Sequence, residues 1–305
     1  MYDVAILGGG PAGVTASIYA ARKKLKTIFL AKEWGGQSNV SADIQNWIGT
    51  PHISGGDLAK NFEAHLREYA ADVVDMQIPA TVTGVVKTSE GFSITTESGE
   101  TYEAKAVCVA TGSRRRKLIV PGADEFEHKG LTYCATCDGP LFTGKNVVVI
   151  GGGNAGFETA AQLLEYTQHV TLLEHNPAFK ADEVTVAKVM KHEKFTGLTN
   201  VDITEIRGEA LVNGITYRDN KTGKETDMNV EGIFAEIGMI PNTDMVADLV
   251  DRNERNHIIT DPYTQRTSME GVWAAGDCTD GRWHQNNIAA GDAVKAIEDM
   301  YTFLR

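Results

Sequence analysis

Cysteine is scarce in this chain, with four residues among 305. Secreted scaffolds held together by disulfides pack more cysteines into shorter chains, so that class is excluded. Basic runs are absent apart from Arg114-Arg115-Arg116-Lys117, which reads as a solvated connection. The 41 acidic residues against 29 Lys and Arg give a net charge of −12. That balance speaks against nucleic acid and anionic membranes as partners. No stretch approaches the roughly 20 consecutive apolar residues of a membrane span. Met1-Tyr2-Asp3 offers neither the basic start nor the small-residue cleavage site of a signal peptide, so a cytoplasmic location is expected.

Glycine is what the chain has, 31 of them, and two clusters fall in one local pattern. Residues 4–7 form a short apolar strand. Gly8-Gly9-Gly10-Pro11-Ala12-Gly13 follows, then an Ala-rich helix expected over 14–24 and a second strand over 27–30. The spacing Gly8-x-Gly10-x-x-Gly13 between a strand and a helix is the dinucleotide fingerprint. Its glycines allow a tight turn and a close backbone approach to a pyrophosphate, which the free N–H groups of the helix start can bind.

The pattern returns at mid-chain: a strand over 146–150, then Gly151-Gly152-Gly153-Asn154-Ala155-Gly156, a helix over 157–166 and a strand over 170–173. Two fingerprints imply two dinucleotides. FAD with a nicotinamide is the expected pair, because a flavin takes a hydride and passes electrons onward. Glu174 ends the strand after the second fingerprint. A carboxylate there accepts a ribose 2′-OH and repels a 2′-phosphate. The next residues, His175-Asn176-Pro177-Ala178-Phe179-Lys180, bring no arginine to clamp a phosphate. NADH is therefore expected over NADPH, a plain solvated strand end being the alternative for Glu174.

Cys134-Ala135-Thr136-Cys137 lies between the fingerprints and runs into Asp138-Gly139-Pro140. Two thiols at this spacing can close a small disulfide ring. A thiolate at a helix N-terminus is stabilised for exchange, and Asp138 can carry the proton that exchange requires. Half of a zinc site is the alternative, but zinc wants four ligands. The other two cysteines, Cys108 and Cys278, stand apart in strand patterns and read as buried small hydrophobes. No metal is expected.

Two β-rich inserts, over 81–109 and 201–234, follow the two fingerprint units. A strand then ends at Gly276-Asp277, and a last helix spans roughly 288–304. Asp277 can bind a ribityl hydroxyl, and the last helix can aim its positive end at a reduced flavin ring. His284, beside Gln285, is either catalytic or structural. The expected fold class is α/β: two Rossmann-like, three-layer ββα nucleotide-binding domains, the second inserted in the first. The FAD-binding domain would comprise 1–115 and 245–305, and the NAD(P)H-binding domain 116–244 with the Cys-x-x-Cys. Junctions are expected near Lys117 and Pro241-Asn242.

In this order, Gly8-Gly9-Gly10-Pro11-Ala12-Gly13, Gly35-Gly36-Gln37, Ala110-Thr111-Gly112, Cys134-Ala135-Thr136-Cys137-Asp138-Gly139 and Gly276-Asp277-Cys278 resemble the low-molecular-weight thioredoxin reductases over essentially the whole chain. Other stretches look closest to the flavoprotein of the alkyl hydroperoxide reductase system: residues 151–156, Val170-Thr171-Leu172-Leu173-Glu174, Lys180-Ala181-Asp182, and Ile237-Gly238-Met239-Ile240-Pro241-Asn242-Thr243. That flavoprotein uses NADH and carries an extra N-terminal thioredoxin-like region which is not expected here. A separate thioredoxin-like or glutaredoxin-like protein would then be the partner. Where thioredoxin reductases carry His-Arg-Arg for the NADPH phosphate, this chain has His175-Asn176-Pro177.

The resemblance implies Glu33, Gly36, Gln37, Asn46, Thr111, Gly112, Gly276, Asp277, His284, Gln285 and Asn286 as further FAD residues, beside Gly8, Gly10, Pro11, Ala12 and Gly13. It implies Gly151, Gly153, Asn154, Ala155, Gly156, Glu174 and His175 for the nicotinamide dinucleotide. It also implies unequal thiols, Cys137 beside the flavin as the charge-transfer thiolate and Cys134 attacking the partner. Asp138 would be the acid–base, the nicotinamide domain would rotate, and the protein would be a homodimer. A ferredoxin-fed reductase and a non-enzymatic FAD-binding redox sensor remain as alternatives.

Overall fold

Six-residue strand Tyr2–Leu7 supplies the centre of the first sheet, because its last four side chains are wholly buried and only a strand covered on both faces accepts such a run. The computed structural model describes residues 1–41 and 44–305, and of Thr136 and Cys137 the backbone alone. Within these, the chain divides into two units, Met1–Arg114 with Ile240–Arg305, and Arg115–Met239.

In the first unit, Tyr2–Leu7 lies parallel between Thr27–Leu30 and Thr101–Val109, with Leu7 level with Leu30 and Val109. Val74–Gln77 extends the parallel order on the far side of Thr27–Leu30. The long strand Thr101–Val109 serves two partners. Its first half pairs antiparallel with Phe92–Thr96, and its last three residues pair parallel with Val272–Ala274. Helices Pro11–Arg22 and Asn286–Phe303 pack on one face of this sheet through Ala12, Ala16, Ala20, Ala289, Ala293 and Ala296. Alanines at these positions let the two helices come close to each other and to the sheet.

The second unit repeats the plan. Its parallel sheet runs in the order Phe195–Thr199, His169–Glu174, Asn146–Ile150, Gly232–Ala235, Leu131–Thr132. A three-stranded antiparallel ribbon, Val201–Gly208, Val212–Asp219 and Glu225–Asn229, accompanies it. The architecture is thus α/β, with two Rossmann-like units.

Both fingerprint helices start earlier than the sequence suggests, at Pro11 and Asn154. Proline is preorganised for the first helical position, so Pro11 opens the helix. Gly13 and Gly156 then fall inside the first turn, where a Cβ would run into the carbonyl oxygens of Gly8 and Gly151. The units also divide a few residues before the expected junctions. Asn242 belongs to the first unit because its backbone N–H donates to the Gly112 carbonyl at 2.9 Å and its side chain to the Thr111 carbonyl at 3.0 Å.

Candidate active site

The first fingerprint opens a pocket of about 600 Å³ in the first unit. It brings together Gly8, Gly10, Pro11, Ala12, Glu33, Gly36, Gln37, Thr111, Gly112, Gly276, Asp277 and Asn286. The three fingerprint glycines divide by what they face. Gly8 has φ +120°, and a Cβ on it would clash with the Ala110 carbonyl; Gly13 is fixed by its contact with Gly8. Gly10 is different. Its φ of −79° suits any residue, and the nearest described atom to a Cβ there would be the Gly35 carbonyl oxygen at 4.0 Å. Packing therefore requires the outer two glycines, while the middle one keeps open a space in front of a helix start that no side chain caps. That arrangement fits a pyrophosphate on free N–H groups.

Asn242 buttresses the Thr111-Gly112 side of the pocket. Thr111 Oγ1 donates to the Asn242 carbonyl at 2.5 Å, and Arg114 donates to Asn242 Oδ1 at 2.8 Å. Burial pushes the Asp277 carboxyl up, opposed by the imidazoles of His284 and His257. Gln285, Asn46 and His284 do not line the pocket. Asn46 Nδ2 donates to Gln285 Oε1 at 2.9 Å, and the His284 ring lies 5.6 Å from that of His257. Sequence reading missed Lys32, Ser38, Asn242 and Asp244 on the lining; Ser38 Oγ donates to Asn286 Oδ1 at 3.2 Å.

A second pocket, of about 560 Å³, lies in the second unit and contains Gly151, Gly153, Glu174 and His175. The division among glycines recurs. Cβ atoms on Gly151 and Gly156 would meet backbone carbonyls, whereas Gly153 has no described atom within 4 Å of its own. Asn154, Ala155 and Gly156 stand in the helix behind it and do not line the pocket. Glu174 is buried, with Oε2 accepting from the Gly152 N–H at 2.5 Å and Oε1 from the Asn176 N–H at 2.7 Å. A carboxylate offers about four acceptor positions, so capacity remains for a hydroxyl.

Glu236 also lines this pocket. Burial pushes its carboxyl up, against the Arg115 guanidinium at 2.8 Å and the Thr159 hydroxyl at 2.9 Å. No arginine closely follows Glu174 in sequence, yet the structure brings Arg218 to the same pocket from a different strand, with Asp202 beside it. No local pattern could have shown this, since their neighbourhood depends on a strand pairing far along the chain.

Cys134 is half-buried and directly precedes a helix of one turn, Ala135–Asp138. The turn is short, so local N–H groups rather than a long helix dipole are what it offers a thiolate. Thr132 links the parts. Its hydroxyl oxygen accepts from the Cys134 N–H at 3.3 Å and donates to Asp138 Oδ2. Asp138 is thereby held beside the thiol segment. The side chain of Cys137 lies outside the described residues.

The other two cysteines are wholly buried and free. Burial pushes Cys108 up to about 12 and Cys278 up to about 11. At pH 8 their thiolate fractions are about 10⁻⁴ and 10⁻³, and the thiolate is the reactive form. Neither should be alkylated by iodoacetamide at pH 8 in the native protein, and both should be in guanidinium chloride. Mass spectrometry of the labelled peptides checks this; rapid labelling of either in the native state would contradict it.

A family model described as pyridine nucleotide-disulphide oxidoreductase matches residues 2–293. The chain belongs to this family. Among relatives, this oxidoreductase is 42% identical over 309 residues to the F protein of alkyl hydroperoxide reductase from Escherichia coli, and 41% over 303 residues to a protein named NADH dehydrogenase in Bacillus subtilis. Each match covers 99% of this chain and 58% of the relative, so the chain spans under two thirds of their length. The crystal structure of Lactococcus lactis thioredoxin reductase superposes on this oxidoreductase with a TM-score of 0.89 at 34% identity, covering 100% of this chain and 99% of that one. The thioredoxin reductase of T. acidophilum gives 0.86 at 38%, covering 99% and 98%. Low-molecular-weight thioredoxin reductases are therefore its structural neighbours. Among the described residues, no helix is long and apolar enough to cross a membrane.

Proposed function

We propose that the chain is a reductase that draws electrons from NADH and delivers them, through FAD and the Cys134/Cys137 pair, to the disulfide of a thioredoxin-like or glutaredoxin-like protein. The observation that carries this reading is the pairing of two fingerprint pockets, each with its middle glycine kept open, with a Cys-x-x-Cys segment in the second unit. When bound, FAD would accept a hydride from the nicotinamide and supply two electrons to the cysteine pair.

In the first unit, the N–H groups at Gly10 to Ala12 would bind the FAD pyrophosphate, with Glu33 and Asp277 accepting from its hydroxyls. In the second, the helix start at Gly153 would bind the nicotinamide dinucleotide, with Glu174 accepting from its ribose. Unit 1 is thus the FAD-binding domain and unit 2 the NAD(P)H-binding domain. At the thiols, Cys134 attacks one sulfur of the partner's disulfide and forms a mixed disulfide. Cys137 then attacks Cys134, releasing the partner as a dithiol and closing a Cys134–Cys137 disulfide. Asp138, held by Thr132, gives a proton to the leaving thiolate. A homodimer working in a reducing, cytoplasmic compartment completes the reading.

Steady-state comparison of NADH with NADPH tests it, using a thioredoxin-like protein from the same genome as acceptor. NADH is expected to give the higher kcat/KM. A clear preference for NADPH would remove the role of Glu174. Failure of both nucleotides to bleach the flavin would leave a ferredoxin-fed reductase, and absence of turnover would leave a redox sensor.

A further inference from the structure

The rim of the second pocket carries three side chains from two parts of the fold. His175 follows the strand His169–Glu174. Asp202 and Arg218 are cross-strand partners in the antiparallel ribbon, on Val201–Gly208 and Val212–Asp219. All three line the pocket that holds Gly153 and Glu174. Asp202 Oδ1 pairs with His175 Nδ1, and its Oδ2 lies 3.8 Å from the Arg218 guanidinium. One carboxylate thus occupies both basic groups that this rim offers.

A 2′-phosphate brings about 1.5 to 2 negative charges and is best met by arginine, whose planar fork matches it. Arg218 has the right chemistry and stands at the right pocket, but it faces Asp202. Turning it to a phosphate would leave that phosphate beside two carboxylates, Asp202 and Glu174. A 2′-hydroxyl meets no such opposition.

We propose that Asp202 is a positioning residue for dinucleotide choice: by holding His175 and Arg218 it keeps them from a 2′-phosphate, so that the pocket accepts NADH and resists NADPH. The inference rests on the reading of this pocket as the nicotinamide dinucleotide site. It also makes the choice depend on a residue outside the segment that follows Glu174.

Equilibrium binding of two fragments, 5′-AMP and 2′,5′-ADP, to the FAD-loaded protein by titration calorimetry tests it without any turnover. Wild type should favour 5′-AMP. Asp202→Asn, nearly isosteric, should shift the affinity ratio toward 2′,5′-ADP by about tenfold, or about 1.4 kcal/mol. Asp202→Glu should keep the wild-type ratio, and adding Arg218→Ala to Asp202→Asn should cancel the shift. A ratio that moves by less than about twofold in Asp202→Asn overturns the proposal, as does a wild type that prefers 2′,5′-ADP. Loss of 5′-AMP binding in Asp202→Asn also overturns it, because Asp202 is confined to the 2′ side. Wild-type protein that binds neither fragment overturns the dinucleotide reading of the pocket itself.

Discussion

Cys134→Ser should lower turnover with a protein disulfide by at least about a thousandfold, the scale of losing a nucleophile that acts as part of a unit. Bleaching of the flavin by NADH should survive, because Cys134 belongs to neither fingerprint pocket. The asymmetry follows from the chemistry assigned to the pair. A serine hydroxyl cannot form the mixed disulfide with the partner, and neither Cys108 nor Cys278 can replace the thiol, since both are wholly buried and hard to ionise. Stopped-flow absorbance for flavin reduction, run beside a steady-state assay with a thioredoxin-like acceptor, measures the two effects separately. Equal losses in both would show that Cys134 is needed for folding or cofactor retention instead. Full turnover in Cys134→Ser would remove the thiol mechanism altogether.

Gly10→Val should strip the protein of flavin while leaving its fold intact. Backbone geometry at Gly10 suits a side chain, with φ −79° and ψ −173°, and no described atom stands closer than the Gly35 carbonyl oxygen to a Cβ built there. The substitution costs the protein little, yet the valine methyls would fill the space in which a pyrophosphate must approach the helix start. After reconstitution with excess FAD and desalting, flavin content is expected to fall below about a tenth of wild type. The thermal midpoint of the two apo-proteins should stay within about 3 °C, a shift that corresponds to well under 1 kcal/mol for a chain of this size. Gly13→Val is the control with the opposite expectation, since its side chain would press on the Gly8 carbonyl and destabilise the turn itself. Normal flavin content in Gly10→Val would mean that the 600 Å³ pocket is not the FAD site.

How much of this was legible beforehand depends on how local each feature is. Both fingerprints could be read because strand, turn and helix lie within about thirty residues, and the turn geometry forces glycine at Gly8, Gly13, Gly151 and Gly156. The strand Asn146–Ile150 was equally plain, since a run of Val and Ile buried on both faces leaves few other options. Cys134-x-x-Cys137 announced itself by spacing alone. What stayed hidden needs contact between distant segments. Asn242 reaches Thr111 from the other end of the inserted unit, and nothing near either residue signals it. Asp202 meets Arg218 only because the ribbon pairs them in register, and the ribbon's register shifts at Ile203/Glu205 and Arg207/Gly208. Reading the residues after Glu174 alone therefore gave a rim without arginine, whereas folding supplies one. Thr132 escaped for another reason. Threonine in a buried strand is unremarkable, and its link to Cys134 and Asp138 appears only once the chain turns back through Ala135–Asp138.

The central claim is that this family member stores electrons in two places, the flavin and the Cys134/Cys137 pair. Anaerobic titration with NADH, followed by flavin absorbance and by thiol count, tests it most directly. Wild-type protein should take up about two equivalents of NADH per flavin and gain two titratable thiols, while Cys134→Ser should take up about one and gain none. Uptake of one equivalent by both proteins, with no new thiols in the wild type, would contradict the claim.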